Sequence, residues 1–412
     1  YQTKAYKAAN FGYDEWNALE SGKLGKDFNL DAWSTRQVTV PLDLKKGIGA
    51  QSIVEGGYET RPSSPALVDA ALTFIMFNKR ITFSRLAQIL RQRSKNAFIE
   101  NDLKHQGMKA VESLREQFAR QFYGPSTSVL MLQNGAISTD TVTVDAMYGT
   151  AGLGSTSHNR RCTDLVHVDD YIAFLNPSGP ALRTSGIVKI DSIDRDLQTI
   201  TGSAFSDVTT CTDNDLIVFA NNNENTTLAG GTEYNLALTG MKDMCEGSSL
   251  YGITAATYPD GWTASADTSG GRFTPVKFRK MRQGIQNKGP AGSDMTDAWL
   301  AQGVYNDLVA QQESARRFQG TSDFELDGMP SAKGVTIHQS RFTPDGYVYA
   351  YDKNNSVKRG QLFQGPDDQP YDEENTDKLQ DVSGFAASLA FPVFLFTTSR
   401  GAMYYASGCT QQ

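Results

Sequence analysis

The side chains best suited to bind a metal lie in the middle of the sequence. His158, Cys162 and His167 stand close together, and Cys211 follows later. Imidazole and thiolate groups are common zinc ligands, but this spacing matches no common zinc site and the segment is rich in loop residues. Structural thiols and surface histidines are the simpler interpretation, so we expect no metal here.

Two other short patterns contain the residue types of a ligand site. The glycine-rich GTAGLGS, from Gly149 to Ser155, has the look of a phosphate cradle, but no helix follows it, which favours a flexible loop. Asp213 and Asp215 carry the oxygen ligands that calcium prefers, although solvated turn residues are the commoner explanation. Neither pattern predicts a bound ligand.

The motifs of the common enzyme classes are absent from the sequence. No nucleophile elbow, HExxH, GxxxxGK or dinucleotide fingerprint occurs in a plausible context. No pair of carboxylates stands out in an otherwise apolar stretch, as a general acid and base would. The sequence therefore predicts a protein without catalytic residues and without a cofactor.

Length and composition are those of a soluble globular protein. The 412 residues allow one large domain or two to three smaller ones. The four cysteines contain no CxxC pair, which favours reduced thiols. The apolar runs are too short or interrupted to cross a bilayer and no apolar leader begins the sequence, so we expect no membrane contact and no export.

Charge is unevenly distributed along the chain. The formal net charge is -7, which argues against binding nucleic acid over the whole surface, because such affinity comes from neutralised phosphates. Residues 79–120 contain ten Lys or Arg and four Asp or Glu, whereas residues 136–220 contain eleven Asp, no Glu and five Lys or Arg. The chain has a basic segment and an acidic module.

The N-terminal part predicts an arm and a long two-stranded excursion. Residues 1–33 contain scattered aromatics without a period, as in an extended arm. Residues 38–42 alternate as a strand, a glycine-rich stretch with Lys45 and Lys46 follows, and residues 71–84 predict the return strand, with Phe74 and Met76 on one face. Since apolar residues occupy both faces of this lone pair, we expect something outside the pair to cover it.

A long helix and a small β module are predicted next. Residues 97–123 place apolar side chains near one helical face and stop at Gly124-Pro125. Short alternating runs within residues 136–220, separated by turn residues, predict a small β-barrel or sandwich. The polar tract at 221–227 is its expected exit linker.

The C-terminal part predicts a mixed α+β domain. Thr274 and Pro275 suit the N-cap and first position of a helix, and a strand near residues 297–302 leads into a second helix. Alternating residues before and after Pro344-Asp345-Gly346 then predict a β-hairpin, with Tyr347, Tyr349 and Tyr351 on one face. A row of tyrosines suits either the edge of a core or a subunit contact.

The order of these parts resembles the major capsid proteins of tailed bacteriophages, whose fold is named for the Hong Kong 97 phage. Three stretches carry the resemblance: residues 71–124, beginning ALTFIMFNKR; residues 297–318, DAWLAQGVYNDLVAQQESARRF; and the FELDGMPSAKGVTIHQSRFTPDGYVYAYD segment that follows. The resemblance implies an arm at 1–33, an extended loop at 34–90, a spine helix and peripheral domain at 91–135, an inserted β module and linker at 136–227, and an axial domain with returning peripheral strands at 228–412.

The resemblance also implies a function. Many copies, as hexamers and pentamers, would form an icosahedral shell that encloses double-stranded DNA without sequence-specific contacts. Decoration, scaffold and portal proteins are possible partners, and the protein would belong to the virion after assembly in the host cytoplasm. In some family members a loop lysine bonds covalently to a neighbouring asparagine; Lys45 or Lys46 is the candidate, but no acceptor is matched, so we expect non-covalent closure.

The predicted subunit contacts are the two lysines, Phe74 with Met76, and the tyrosine row. Two rivals stay open at this point. An encapsulin-like compartment would enclose an enzyme with the same fold, and a phage tail protein or carbohydrate-active enzyme would use the β-rich middle.

Overall fold

The computed structural model describes residues 20–21, 37–45, 66–73, 75–84, 97–137, 140–149, 162–203, 205–208, 211–220, 232, 234–258, 261–317, 334–361, 377–378 and 384–410. Within these ranges, no helix combines the length and the apolar character that crossing a bilayer requires.

Strands dominate the first half of the described chain, with one long helix among them. In chain order the elements are β1 (Glu20–Ser21), β2 (Gln37–Lys45), β3 (Ala66–Thr73), β4 (Ile75–Ser84), α1 (Ala97–Tyr123), β5 (Met131–Gln133), β6 (Thr141–Asp145), β7 (Tyr171–Leu175), β8 (Leu182–Lys189), β9 (Ser192–Asp194), β10 (Thr199–Thr201) and β11 (Leu216–Phe219).

Helices and strands alternate more in the second half. The elements are α2 (Met241–Glu246), β12 (Ser249–Leu250), β13 (Ile253–Thr254), β14 (Ser265–Asp267), β15 (Gly271–Arg272), α3 (Pro275–Lys288), β16 (Asp297–Ala301), α4 (Gln302–Arg317), β17 (Thr336–Ser340), β18 (Val348–Tyr351), β19 (Val357–Gln361), β20 (Asp377–Lys378), β21 (Gly384–Thr397), β22 (Met403–Ala406) and β23 (Cys409–Thr410).

Helix α1 has the bounds that the apolar period predicts. Its last three turns bury Leu114, Phe118 and Phe122, which recur at four-residue spacing on one face. The helix ends where Gly124 N donates to Arg120 O at 3.2 Å and Pro125 follows, because proline cannot supply the next backbone donor. The prediction of a 97–123 helix is confirmed.

The predicted return strand of the excursion is wrong in its bounds. β2 pairs with β3 from Gln37 opposite Thr73 to Lys45 opposite Ala66, so the return strand lies earlier than 71–84. β4 instead pairs over its whole length with β21, and β19 and β20 also pair with β21. The sequence alone could not show this, because the long partner strand lies about 300 residues further along the chain.

The predicted β module is a seven-stranded antiparallel sheet in the order β8-β7-β11-β5-β6-β10-β9. Its two end strands, β8 and β9, are separated along the chain by only two residues. Ile190 N donates to Asp170 O, just before β7, at 2.9 Å, and Asp191 N donates to Thr201 O of β10 at 2.8 Å. The bent β8–β9 segment therefore closes the sheet on itself, and we call it the closed sheet. β5 belongs to it, although the sequence placed residues 131–133 with the spine helix.

The predicted hairpin is part of a larger sheet. We call it the central sheet, and its five strands have the order β14-β22-β18-β16-β17. The turn is present, with Tyr347 N donating to Pro344 O at 3.0 Å and Gly346 at φ 72°. However, β17 and β18 do not pair with each other, because β16 lies between them, parallel to β17 and antiparallel to β18. All five residues of β16 are buried, so this strand takes the middle position and separates the two.

The central sheet has two different faces. One carries Trp299, Tyr349 and Tyr351 and contacts the C-terminal end of α1; we call it the aromatic face. The other carries smaller side chains, including Ala298, Leu300, Val348 and Ala350, and buries α3 and α4; we call it the helix face. Helix α3 begins as predicted, with Thr274 as N-cap and Pro275 at its first position.

Candidate functional site

The three tyrosines lie in the core of the subunit. Tyr349 and Tyr351 have no exposed surface and Tyr347 is nearly buried. The Tyr351 hydroxyl accepts a hydrogen bond from Trp299 Nε1 at 3.3 Å, and the rings of Tyr347 and Tyr349 stack with centroids 5.8 Å apart. Burial raises the pKa of Tyr349 well above its ordinary value. Of the two roles open for this row, core packing is the one the structure has, and the proposed subunit contact is wrong for Tyr349 and Tyr351.

The other predicted subunit contacts are not decided by the described residues. Lys45 is the last residue of β2 and Met76 lies in β4, and only the backbone of these two residues is described. Lys46 and Phe74 lie outside the described residues. The neighbouring Phe77 is buried, and its ring meets Phe118 of α1 edge-on at 6.5 Å. Contacts of Lys45, Lys46, Phe74 and Met76 with a second subunit therefore stay predictions.

The hairpin formed by β2 and β3 is covered on one face by its own chain. Val40, Leu42, Leu44, Ala70 and Leu72 are buried in the largest core cluster. The opposite face exposes Leu67 among polar neighbours, with 68% of its surface accessible. The expectation that something outside the pair covers it is confirmed for this inner face, where the cover is the chain's own core, because alternation in a strand directs one side toward that core.

The Glu116 carboxylate joins three parts of the subunit. Glu116 lies on α1, and its Oε1 accepts hydrogen bonds from His167 Nε2 in the closed-sheet module and from an Arg341 Nη after β17, both at 2.8 Å. Burial acts to raise the pKa of Glu116, but the hydrogen bond from His167 and the charges of Arg120 and Arg341 lower it overall. That hydrogen bond also raises the pKa of His167, against the smaller effect of burial. We call this arrangement the Glu116 junction.

Arg120, one turn further along α1, strengthens the attachment of the closed sheet. An Nη of its guanidinium donates to the Leu165 carbonyl, and the group lies 4.6 Å from the centre of the Phe219 ring, a cation–π contact. Lys242 Nζ of α2 donates to the Tyr148 carbonyl at 2.7 Å. The closed sheet is thus bonded to α1 and α2, and its core is continuous with that of the central sheet.

Arg400 is a buried cation that the sequence did not single out. Its Nε donates to Met244 O at 2.7 Å, and one Nη donates to Cys245 O at 3.2 Å and Gly247 O at 2.6 Å. These carbonyls end the short helix α2, where backbone acceptors lack helical partners. Burial lowers the pKa of Arg400. The sequence contains one indication of a buried role, because this arginine lies between two apolar strands. An arginine at such a position fits an exposed turn equally well.

Asp297 and His338 form the pair closest to catalytic chemistry. Asp297 Oδ1 and His338 Nε2 are 2.9 Å apart, and the imidazole stacks on Trp299 with centroids at 4.1 Å. Thr296 Oγ1 donates to the other carboxylate oxygen at 2.8 Å. Because His338 lies opposite Trp299 on paired strands, these contacts fasten the edge strand β17 to β16.

The candidate ligand residues that the structure describes do not converge. Among the described residues no group of three or more metal-binding side chains occurs. His167 is bonded to Glu116, Cys162 is buried, and burial raises the pKa of the Cys211 thiol to about 12. Asp215 is buried, and its carboxylate accepts two hydrogen bonds from Arg183, at 2.9 and 2.6 Å. His158 and most of GTAGLGS lie outside the described residues.

Comparisons with known proteins give matches among solved structures alone. No family model matches the sequence, and no curated protein matches it. Among solved structures the chain is similar to the cyanophage A-1(L) capsid asymmetric unit, at 11% identity and a TM-score of 0.49, over 95% of this chain and 94% of that chain. It is similar to Gordonia phage Cozz at 11% identity and a TM-score of 0.42, over 96% and 86% of the two chains.

A partial similarity concerns the encapsulin alternative. The holo-SrpI encapsulin complex from Synechococcus elongatus aligns at 11% identity and a TM-score of 0.26, over 35% of this chain and 52% of that chain. None of these three TM-scores reaches 0.5, so the similarities carry no argument on their own.

Proposed function

We propose that this chain is the major capsid protein of a tailed phage, a structural protein without a catalytic role. The observation that carries the proposal is the pairing of β4 with β21 over ten residue pairs. This pairing joins the strand that follows the hairpin to a strand far along the chain, and Phe77 of β4 packs on Phe118 of α1. A loop strand and a long helix that pack with strands returning from the end of the chain are the arrangement that the family resemblance implies.

In this proposal many copies, as hexamers and pentamers, form an icosahedral shell around a double-stranded DNA genome. The shell is assembled in the host cytoplasm and becomes part of the virion, and decoration, scaffold and portal proteins are its expected partners. The arm at 1–33 and the extended loop at 34–90 reach a neighbouring subunit, with Lys45, Lys46, Phe74 and Met76 near that contact. The inserted module begins at or before β5, somewhat earlier than residue 136.

The tip of the extended loop gives a direct test. Deleting residues 47–58 should leave a folded subunit, because the inner face of β2 and β3 packs on the chain itself, but should prevent closed particles. A variant that replaces the same residues with glycine and serine keeps the loop length and separates a need for reach from a need for specific contacts. Normal closed particles from the deletion variant would contradict the proposed role of the loop.

Two alternatives have their own tests. An encapsulin-like compartment has the same fold by resemblance, and double-stranded DNA extracted from purified particles would exclude it. A tail protein or carbohydrate-active enzyme is suggested only by the closed sheet, and a monomer that hydrolyses glycans would support that reading and end the capsid proposal.

A further inference from the structure

Helix α3 is the most one-sided basic element in the described chain. Its fourteen residues include Lys277, Arg279, Lys280, Arg282 and Lys288 and no Asp or Glu. Phe278, Met281 and Ile285 are buried in the helix face of the central sheet, so the helix is fixed and its outer side is defined. The chain as a whole has a net charge of -7, so this helix is opposite in charge to the protein that carries it.

Two cations on the outer side of α3 form no ion pair with a described carboxylate, although Lys280 is close enough to Asp267 for their charges to interact. Lys277 lies 4.0 Å from Asp267, and Arg282 pairs with Asp294. Arg279 and Lys280 are exposed and form no ion pair among the described residues. With 3.6 residues per turn, both fall in one stripe with the exposed amides of Gln283 and Asn287, about 100° wide and opposite the buried side. The side chains of Arg, Lys, Asn and Gln are among those that commonly bind DNA phosphates.

The closed sheet carries the opposite charge on the opposite side of the molecule. Its exposed carboxylates include Asp191, Asp194, Asp196, Asp207 and Asp213. It is bonded to α1, and α1 packs on the aromatic face of the central sheet, whereas α3 packs on the helix face. Among the described residues, the central sheet therefore separates the acidic closed sheet from the basic side of α3.

We propose that the Arg279–Lys280 stripe of α3 contacts the phosphate backbone of the enclosed double-stranded DNA, and that the closed sheet faces the outside of the shell. The inference rests on the proposed function, since it needs an enclosed polyanion. A wall around a polyanion is stabilised when its basic side faces inward and its acidic side outward. Arg279 and Lys280 of each copy would give a weak contact repeated over many copies, which holds DNA without sequence readout and without blocking its release.

The first test measures DNA binding by unassembled subunits at low salt. Each lost phosphate contact reduces the slope of log K against log salt concentration by about 0.9, so replacing Arg279 and Lys280 with glutamine should reduce it by about 1.8. Lys189→Gln with Arg195→Gln removes the same charges from the closed sheet and should leave the slope unchanged. An unchanged slope in the α3 variant, or an equal loss in both variants, would overturn the proposal.

The second test uses unmodified particles and needs no substitution. Lys280 should be acetylated more slowly in DNA-filled particles than in emptied particles. An amine-reactive polymer that is too large to enter the shell should modify Lys189 but not Lys280. Equal acetylation of Lys280 in both particles, or the reverse accessibility, would contradict the inference. If the chain forms no particles, the capsid proposal fails, while the binding measurement on subunits still decides whether α3 contacts DNA.

Discussion

The two faces of the central sheet solve different packing problems. The aromatic face receives the end of α1 with large rings: Phe122 and Tyr123 each meet Trp299 at 6.0 Å between ring centres. The helix face receives α3 and α4 with small and aliphatic side chains, and a backbone approaches it closely at Gly284. The aromatic face therefore joins separate parts of the chain, whereas the helix face completes a local α/β unit that exposes the basic side of α3.

Among the variants that test this comparison, one that truncates a side chain of the aromatic face should lose the most unfolding free energy. Trp299→Ala removes a fully buried indole and is expected to cost about 3–5 kcal/mol of unfolding free energy. Ile285→Val on α3, a small truncation in the helix face, should cost about 1 kcal/mol. Urea unfolding of unassembled subunits measures both. Similar losses in the two variants would remove the distinction between the faces.

Arg400 tests whether the buried polar contacts beside the aromatic face are needed. Arg400→Met keeps most of the side-chain volume but leaves the last carbonyls of α2 without donors, and we expect a loss of about 2 kcal/mol in unfolding free energy. Arg400→Lys, which retains the charge but cannot reach every acceptor, should lose less. A methionine variant as stable as the original protein would show that solvent or backbone rearrangement satisfies these carbonyls.

Gly284 tests the close approach on the helix face. A β-carbon at this position would lie 2.6 Å from the Tyr404 ring and 3.3 Å from Ser265 Cβ. Gly284→Ala should therefore destabilise the subunit by about 1–2 kcal/mol through overpacking, although helix propensity alone predicts a gain of about 1 kcal/mol. Combining it with Tyr404→Leu should recover part of the loss. A more stable Gly284→Ala protein would mean that the ring moves aside freely.

The Glu116 junction should give the smallest effect, visible as a pH dependence. The pKa of His167 is raised in the folded protein by its bond to Glu116, so its contribution is complete below the ordinary histidine pKa and is lost as pH rises through the raised value. Glu116 has a lowered pKa, and its contribution is lost as pH falls through that value. The junction should be most stabilising between about pH 5 and 6.5.

The free energy of unfolding, measured across this pH range and above it, would test the junction. The loss of unfolding free energy above pH 6.5 should stay below about 1 kcal/mol, because nearly half of the His167 side chain faces water. Glu116→Gln should flatten the profile, while Lys109→Gln, which removes an exposed ion pair on the same helix, should leave it unchanged. A profile that is the same in the Glu116→Gln variant would show that other groups set the pH dependence.

Local signals in the sequence predicted local structure well. The period of α1 and the cap at Thr274 and Pro275 correspond to helices that begin where predicted, and the region of alternating runs at 136–220 contains the strands β6 to β11. Partners across long sequence distances were not predictable. Nothing near Pro344 shows that β16 enters between β17 and β18, and nothing near Phe77 identifies β21 as the partner of β4.

The same limit applies to the candidate site. The tyrosine row was recognised as one face, but two roles fitted it until its neighbours were known. The Glu116 junction joins residues 51 and 225 positions apart, and Arg400 reaches carbonyls about 155 positions earlier. Glutamate, histidine and arginine at such distances have no pattern that distinguishes them from solvated surface residues.

Electron microscopy of the purified protein under assembly conditions tests the central claim most directly. The account predicts closed icosahedral shells built from many copies, with the closed sheet outermost on each subunit. A uniform population of single subunits of about 45 kDa, stable on their own and unable to form shells under any assembly condition, would contradict it.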